Sequence, residues 1–302
     1  VGCLLFTLVG GYNLWLLRPD SFLARPRLWM QVLSHSKATM SAGPNFAFQL
    51  CVDRIESSEL EGIDLSCWRN AVTGAEMIHP DTCRAFSDKF SPARFKSHYH
   101  VASYGMAETT LAATSDVKRA GIRTAPIPAS AQTSSAERRD VVCVGEAVID
   151  TEIRIATPGN ISRFLPDGEV GEICIRGPSV FAGYFNDPEA TRESLQEGWL
   201  LTGDLGFMRD GELYITGRTK DLLIIHGHNL MPHELEWIAD EVNGGGGTER
   251  SGAFSITTNG AGESAVIVVE AASSDAQFLR DKDREIRSRI GRTLGFPLAD
   301  VV

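Results

Sequence analysis

The chain has 302 residues, 43% hydrophobic and 23% charged, an ordinary globular composition with room for two domains or more. A net charge of −10 without a basic tract argues against a nucleic-acid partner. The six cysteines (Cys3, Cys51, Cys67, Cys83, Cys143, Cys174) include no CxxC pair, so they read as small buried hydrophobes in a reducing cytoplasm rather than a disulfide frame or a zinc site.

Residues 1–17, VGCLLFTLVGGYNLWLL, predict a helix, a glycine turn and a buried strand. The run lacks a basic start and is too short and too interrupted for a membrane span. Ser21 is a candidate cap for the next segment. Pro26–Ser36 has apolar Leu28, Trp29, Val32 and Leu33 at helical spacing. Ala38–Ser41 reads as a strand, broken by Gly43-Pro44, and Asn45–Ile55 as a helix. A strand is expected over Trp68–Val72, a helix over Pro80–Phe90 and a strand over His98–Ser103. This alternation predicts an α/β fold with a parallel sheet, whose ligands sit at the carboxyl ends of strands. Three polar loops leave such ends: SAGPNFA, VTGAEM and SYGMAETT.

Residues 112–140 break the pattern, with Pro126, Pro128 and the stretch ASAQTSSAERRD; a functional loop and a disordered linker both fit. Val141–Tyr184 is dense in short strands, with Glu172 a candidate strand-edge charge. Asn186-Asp187-Pro188-Glu189 caps a helix. Leu200–Met208 and Glu212–Thr216 read as strands around an Arg209-Asp210-Gly211 turn. Leu222–Ile225 is a short buried run closed by Gly227. Pro232–Val242 is an amphipathic helix, Gly244–Gly247 a loop, and Gly252–Thr257 pairs with Ser264–Glu270. Asp275–Leu294 is a helix with Phe278, Leu279, Ile286 and Ile290 inward.

Several polar residues suit nucleotide chemistry. Asp204 is an acceptor fitted to a pair of sugar hydroxyls, and Arg218 is a permanent cation; a turn aspartate in a surface ion pair is the plainer alternative. Tyr104 offers a flat face to a purine, and Gly105 lets backbone approach it. Glu108 is a hard-oxygen ligand suited to Mg²⁺, or else a capping carboxylate. Thr109 has a hydroxyl for a phosphate. On residue type alone the aromatic pair with Phe46 reads as core, and Glu76 as a solvated loop carboxylate.

TGDLGF and GELYITGRTKDLLIIHGHNLMPHELE together resemble the nucleotide and hinge motifs of the adenylate-forming superfamily. SYGMAETT resembles its core motif in the YGMAET form of the fatty acyl-AMP ligases. Many relatives have Thr where this chain has Ala107, and the fatty acyl-AMP ligases also lack that hydroxyl. The resemblance implies that Asp204 and Arg218 hold the ribose of ATP, that Tyr104 stacks on adenine and that Glu108 binds Mg²⁺. Gly74-Ala75-Glu76 resembles the adenine-lining loop, and the PNFA segment with Asn45 and Phe46 the wall of the acyl tunnel. Lys220-Asp221 matches the swivel between a large N-terminal and a small C-terminal domain.

The implied architecture is a layered α/β subdomain over 1–111, an insertion or linker over 112–140 and a small β-barrel-like subdomain over 141–219. A hinge at 220–221 and a small α+β C-terminal domain over 222–302 complete it. Residues 112–140 lie where fatty acyl-AMP ligases carry an insertion that disfavours coenzyme A, here in shortened form. In the family a phosphate-binding loop lies upstream of residue 1 and a catalytic lysine lies beyond Val302. The implied reaction converts fatty acid and ATP to acyl-AMP and pyrophosphate, with transfer to the phosphopantetheine thiol of a carrier protein. An acyl-CoA ligase and a non-catalytic acyl- or nucleotide-binding homologue are the rival readings.

Overall fold

The computed structural model describes residues 2–302 except 117, 119, 129–139, 226–227, 244–250, 259–261, 272 and 296. Most of the insertion loop, Gly227 and the Gly244–Gly247 loop therefore lie outside the described residues. The chain divides into two compact units: residues 1–125, 141–202 and 206–215, and residues 126–140, 203–205 and 216–302.

The first unit opens with helices α1 (Gly2–Gly10), α2 (Pro19–Ala24) and α3 (Arg27–Ser36). Strand β1 (Met40–Gly43), helix α4 (Asn45–Arg54), strand β2 (Asn70–Thr73), helix α5 (Pro80–Phe90) and strand β3 (His100–Tyr104) come after them. β1, β2 and β3 are parallel neighbours, with Gly43 opposite Thr73 and Thr73 opposite Ala102. This register brings the ends of β1 and β2 level, with β3 running two residues further to Tyr104, and sends their three loops out on the same edge.

The helices supply the apolar cover that a parallel sheet needs. Trp29 of α3, Phe48 of α4 and Phe86 of α5 meet Trp68 in an aromatic core, with ring centroids 5.1–6.1 Å apart. His100 is buried in the same core, 5.4, 5.9 and 5.1 Å from the rings of Phe48, Phe86 and Phe95. Burial holds its pKa at about 4, so it is a neutral core imidazole at neutral pH.

Strands β4 (Thr114–Ser115), β5 (Thr124–Pro126), β6 (Asp140–Val142) and β7 (Glu146–Ala147) come next. β4 and β7 extend the first sheet with antiparallel pairing. A second sheet has the order β11-β12-β10-β8-β9, with β13 on β12. Its members are β8 (Glu152–Thr157), β9 (Asn160–Phe164), β10 (Gly171–Arg176), β11 (Leu195–Gln196), β12 (Trp199–Arg209) and β13 (Glu212–Arg218). Helix α6 (Pro188–Ser194) has Asp187 at its N-cap, accepting from the Ala190 N–H, and proline in its first turn. The β12–β13 turn places Asp210 and Gly211 at φ +53° and +78°, as a two-residue hairpin with right-handed strand twist requires. Glu172 is buried, its Oε2 accepting the Gly159 N–H at 2.6 Å.

In the second unit β14 (Leu223–Ile225) pairs with β15 (His228–Leu230), and α7 (Pro232–Asn243) packs on β16 (Ser251–Thr258) and β17 (Gly262–Val269). Helix α8 (Ala276–Leu294) and strand β18 (Asp300–Val301) complete it. Leu235, Ile238, Ala265, Ile267, Ile286 and Ile290 form its core.

Four expectations need correction. Cys3 is exposed and Cys67 half-buried, so only four of the six cysteines are buried, because α1 buries none of its residues. Residues 12–18 form no strand, and Tyr12, Trp15 and Leu16 are exposed, because an apolar run becomes a strand only where a neighbour pairs with it. α2 begins at Pro19, before Ser21, because proline suits the first turn of a helix. Leu279 is exposed, because the buried stripe of α8 runs through Ile286, Ile290 and Leu294.

Candidate active site

The loop after β1 begins α4. The Asn45 side chain accepts the His79 N–H at 3.0 Å, and the Phe46 N–H donates to Glu76 Oε1 at 2.6 Å. The loops after β1 and β2 are thus tied together, and Asn45, Phe46 and Glu76 form one group. Phe46 remains 40% exposed, as a wall for an apolar ligand requires and a core residue does not. Ala75 is exposed with φ +66°, a conformation that costs a non-glycine residue about 1–2 kcal/mol. Such strain concentrates in ligand-binding loops.

The loop after β3 departs from expectation in detail. Tyr104 is largely buried in a cluster with Ile78, Ala102 and Ala113, so most of its ring is packed. A Cβ at Gly105 would lie 1.9 Å from the Leu111 carbonyl oxygen, and one at Gly74 would lie 2.3 Å from that of Ser103. Both glycines are therefore demanded by the close packing of these loops on neighbouring backbone, whatever a ligand asks of them. Thr109 is buried, and its hydroxyl donates to the Met106 carbonyl at 3.0 Å and accepts the Met106 N–H at 3.2 Å. That hydroxyl closes the turn. Glu108 sits in the same short turn, half-buried, its carboxylate oxygen Oε1 accepting from Tyr184.

In the second unit Asp204 is 4% exposed, and its Oδ1 accepts from Arg218 Nε at 2.7 Å. The ion pair exists, but Asp204 is neither in a turn nor at the surface: it lies within β12, its side chain 6% exposed and that of Arg218 62%. A buried carboxylate in mid-strand is thus oriented by a cation from the last residue of β13. Lys220 and Asp221 lie in the exposed turn Thr219–Asp221 directly after β13.

One cluster carries no short-range signal in the sequence. Arg123 donates to both oxygens of Glu212 at 2.6 Å and to Asp116 at 3.2 Å, and Lys118 lies 2.9 Å from Glu212. The Asp116 and Glu212 side chains are almost wholly buried. The hydrogen bonds from Arg123 hold the Glu212 carboxyl at about 2. This network fastens the base of the insertion segment to β13.

Two surface cavities, of about 370 Å³ beside Arg287 and Leu298 and about 380 Å³ beside Arg25 and Glu59, contain none of these residues. Among the described residues no group of three or more His, Cys, Asp or Glu side chains is arranged to hold a metal. A lone Glu108 does not make a zinc or calcium cage, but it fits Mg²⁺, which keeps waters and substrate oxygens as its other ligands. No described helix is long and apolar enough to cross a membrane.

The family of AMP-binding enzymes matches residues 1–185. A putative acyl-CoA synthetase of Caulobacter vibrioides is 39% identical over 91% of this chain and 50% of its own length. The long-chain-fatty-acid–AMP ligase FadD26 of Mycobacterium marinum is 35% identical over 98% of this chain and 54% of its own length. Among solved structures, one from work on the fatty acyl-adenylate ligases of E. coli and L. pneumophila superposes with a TM-score of 0.83 at 30% identity, over 94% of this chain and 52% of that one. The chain thus spans about half the length of the curated relatives it matches. With its parallel-strand loops and the fold of those ligases, the chain belongs to the AMP-binding enzyme family, the adenylate-forming ligases.

Proposed function

We propose that the protein activates a fatty acid with ATP, giving acyl-AMP and pyrophosphate. The observation that supports this most is the grouping of Asn45, Phe46, Glu76 and the Tyr104–Glu108 turn at the carboxyl ends of three parallel strands. In the reaction a carboxylate oxygen bonds to the α-phosphorus, and the bond from that phosphorus to the oxygen leading to the β-phosphorus breaks. Both partners are anions, so rate depends on screening and alignment.

Phe46 and Asn45 line the acyl chain. Gly74, Ala75 and Glu76, with Tyr104 and the backbone at Gly105, take the adenine. Asp204, oriented by Arg218, accepts from the ribose hydroxyls. Glu108 would hold Mg²⁺ through a carboxylate oxygen. When bound, the cation supplies charge neutralisation on the phosphates. Lys220-Asp221 serves as the swivel that changes the site between adenylation and acyl transfer.

For the acceptor we favour a carrier-protein phosphopantetheine thiol, on the YGMAET form of the core motif and the AMP-ligase name of FadD26. The acyl-CoA synthetase name of the Caulobacter relative keeps coenzyme A as the second reading. Mass spectrometry of full-length protein with ATP, Mg²⁺ and a panel of fatty acids tests both. Acyl-AMP that accumulates in the presence of coenzyme A supports the first, and rapid acyl-CoA formation supports the second. No adenylate with any acid would leave a non-catalytic binding protein.

A further inference from the structure

One side chain outside the set chosen from sequence touches it. The Tyr184 hydroxyl donates to Glu108 Oε1 at 2.7 Å. The stretch carrying Tyr184 is stapled to the Glu108 turn twice more. The Phe181 N–H donates to the Glu108 carbonyl at 2.8 Å, and the Thr110 hydroxyl donates to the Ser179 carbonyl at 3.0 Å. The tyrosine is itself held from behind. Its ring stands edge-on to Phe181 with centroids 4.8 Å apart, and its N–H donates to Thr191 Oγ1 of α6 at 2.9 Å. Thr191 in turn donates to the Asp187 carbonyl at 2.7 Å. A capped helix, a ring contact and two backbone staples therefore deliver one phenol to one carboxylate oxygen.

A glutamate on a short turn is a loose ligand, because ordering its side chain costs about 1.5–2 kcal/mol of rotamer freedom. A fixed donor on one oxygen removes that freedom before a cation arrives. It also decides how many oxygens remain. A carboxylate with one oxygen engaged offers the other alone, which suits Mg²⁺ or Mn²⁺, whereas Ca²⁺ readily takes carboxylates bidentately. A phenol keeps its proton throughout the neutral range, so Tyr184 remains a donor to Glu108.

We propose that Tyr184 is the positioning residue for Glu108, holding Oε1 so that Oε2 alone meets a hard divalent cation. The proposal rests on the reading of Glu108 as that cation's ligand. Outer-shell partners of metal-binding carboxylates typically change affinity 10- to 100-fold when removed.

The test uses full-length protein with Tyr184→Phe, Glu108→Gln and the double variant. Tyr184→Phe keeps the ring against Phe181, so the strap stays packed. The first readout is Mn²⁺ affinity of the ATP complex by electron paramagnetic resonance. Tyr184→Phe should weaken it about tenfold, Glu108→Gln at least as much, and the double variant no more than Glu108→Gln alone. The second readout is the preference of the ATP complex for Mn²⁺ over Ca²⁺, measured by competition. It should narrow in Tyr184→Phe, because both carboxylate oxygens are then open to Ca²⁺.

If Glu108→Gln weakens Mn²⁺ and Tyr184→Phe does not, the positioning role is overturned while the cation reading stands. If neither variant affects Mn²⁺, the cation reading falls and takes the proposal with it. A preference for Mn²⁺ over Ca²⁺ unchanged in Tyr184→Phe overturns the one-oxygen assignment.

Discussion

Replacing Asp204 with Ala separates a structural ion pair from a ribose reader. The carboxylate is 4% exposed and bonded to Arg218 Nε at 2.7 Å. Hydrogen bonds to a charged group contribute about 1.5–3 kcal/mol net. Losing one such contact to ribose should raise the Kd for ATP about 12- to 140-fold. Stability should change less than ATP affinity, because the Arg218 side chain is 62% exposed and stays hydrated when the carboxylate is removed.

Calorimetric titration of full-length protein with ATP, 2′-deoxy-ATP and 3′-deoxy-ATP checks this. The native protein should bind at least one deoxy analogue more weakly than ATP. Asp204→Ala should lose that discrimination, because the group that reads the hydroxyl is gone. An ATP affinity within about twofold of native, with deoxy discrimination intact, would refute the ribose assignment.

Other outcomes are set by the buried titratable groups and the strained loop. His100 has its folded pKa lowered to about 4 from about 6.5, so only the unfolded chain gains a proton between those values. Stability is fully present above pH 6.5 and is lost as pH falls toward 4, by roughly 3 kcal/mol; His100→Phe should flatten that limb of a pH series of unfolding curves. The Glu212 carboxyl, held at about 2, contributes stability that is present above about pH 4.5 and lost as pH falls to 2. Arg123→Met should cost about 3 kcal/mol at pH 7, the low end for breaking a buried pair because Lys118 remains, and should shrink that acid limb in denaturant titrations. Ala75→Gly should raise stability by about 1 kcal/mol, measured by thermal unfolding, by relieving φ +66°.

The sequence was most informative where local chemistry decides structure. Pro80–Phe90 matches α5 residue for residue, and the proline at the start of α6 and the Asp-Gly turn before β13 lie where their backbone preferences put them. Strand ends shifted by one or two residues, as in β2 and β3, because they are set by a neighbour's register. The same limit explains residues 12–18, whose apolar composition could not reveal whether a partner strand existed. At the candidate site, residue types singled out loops that leave the carboxyl ends of β1, β2 and β3, but not the state of each side chain. Thr109 looked like a phosphate ligand and is engaged by its own turn. Tyr184 and Arg123 meet carboxylates 76 and 89 positions away, pairings that no short-range pattern encodes. The strand-dense stretch ending in Gly183-Tyr184 was visible; what its hydroxyl touches was not.

A crystal structure of the full-length protein with a non-hydrolysable acyl-adenylate would probe every assigned subsite at once. Adenine against the Gly74–Glu76 loop and Tyr104, ribose hydroxyls on Asp204, and the acyl chain along Phe46 is the expected result. An adenylate bound elsewhere, with Tyr104, Glu108 and Asp204 all out of its reach, would contradict the proposed function.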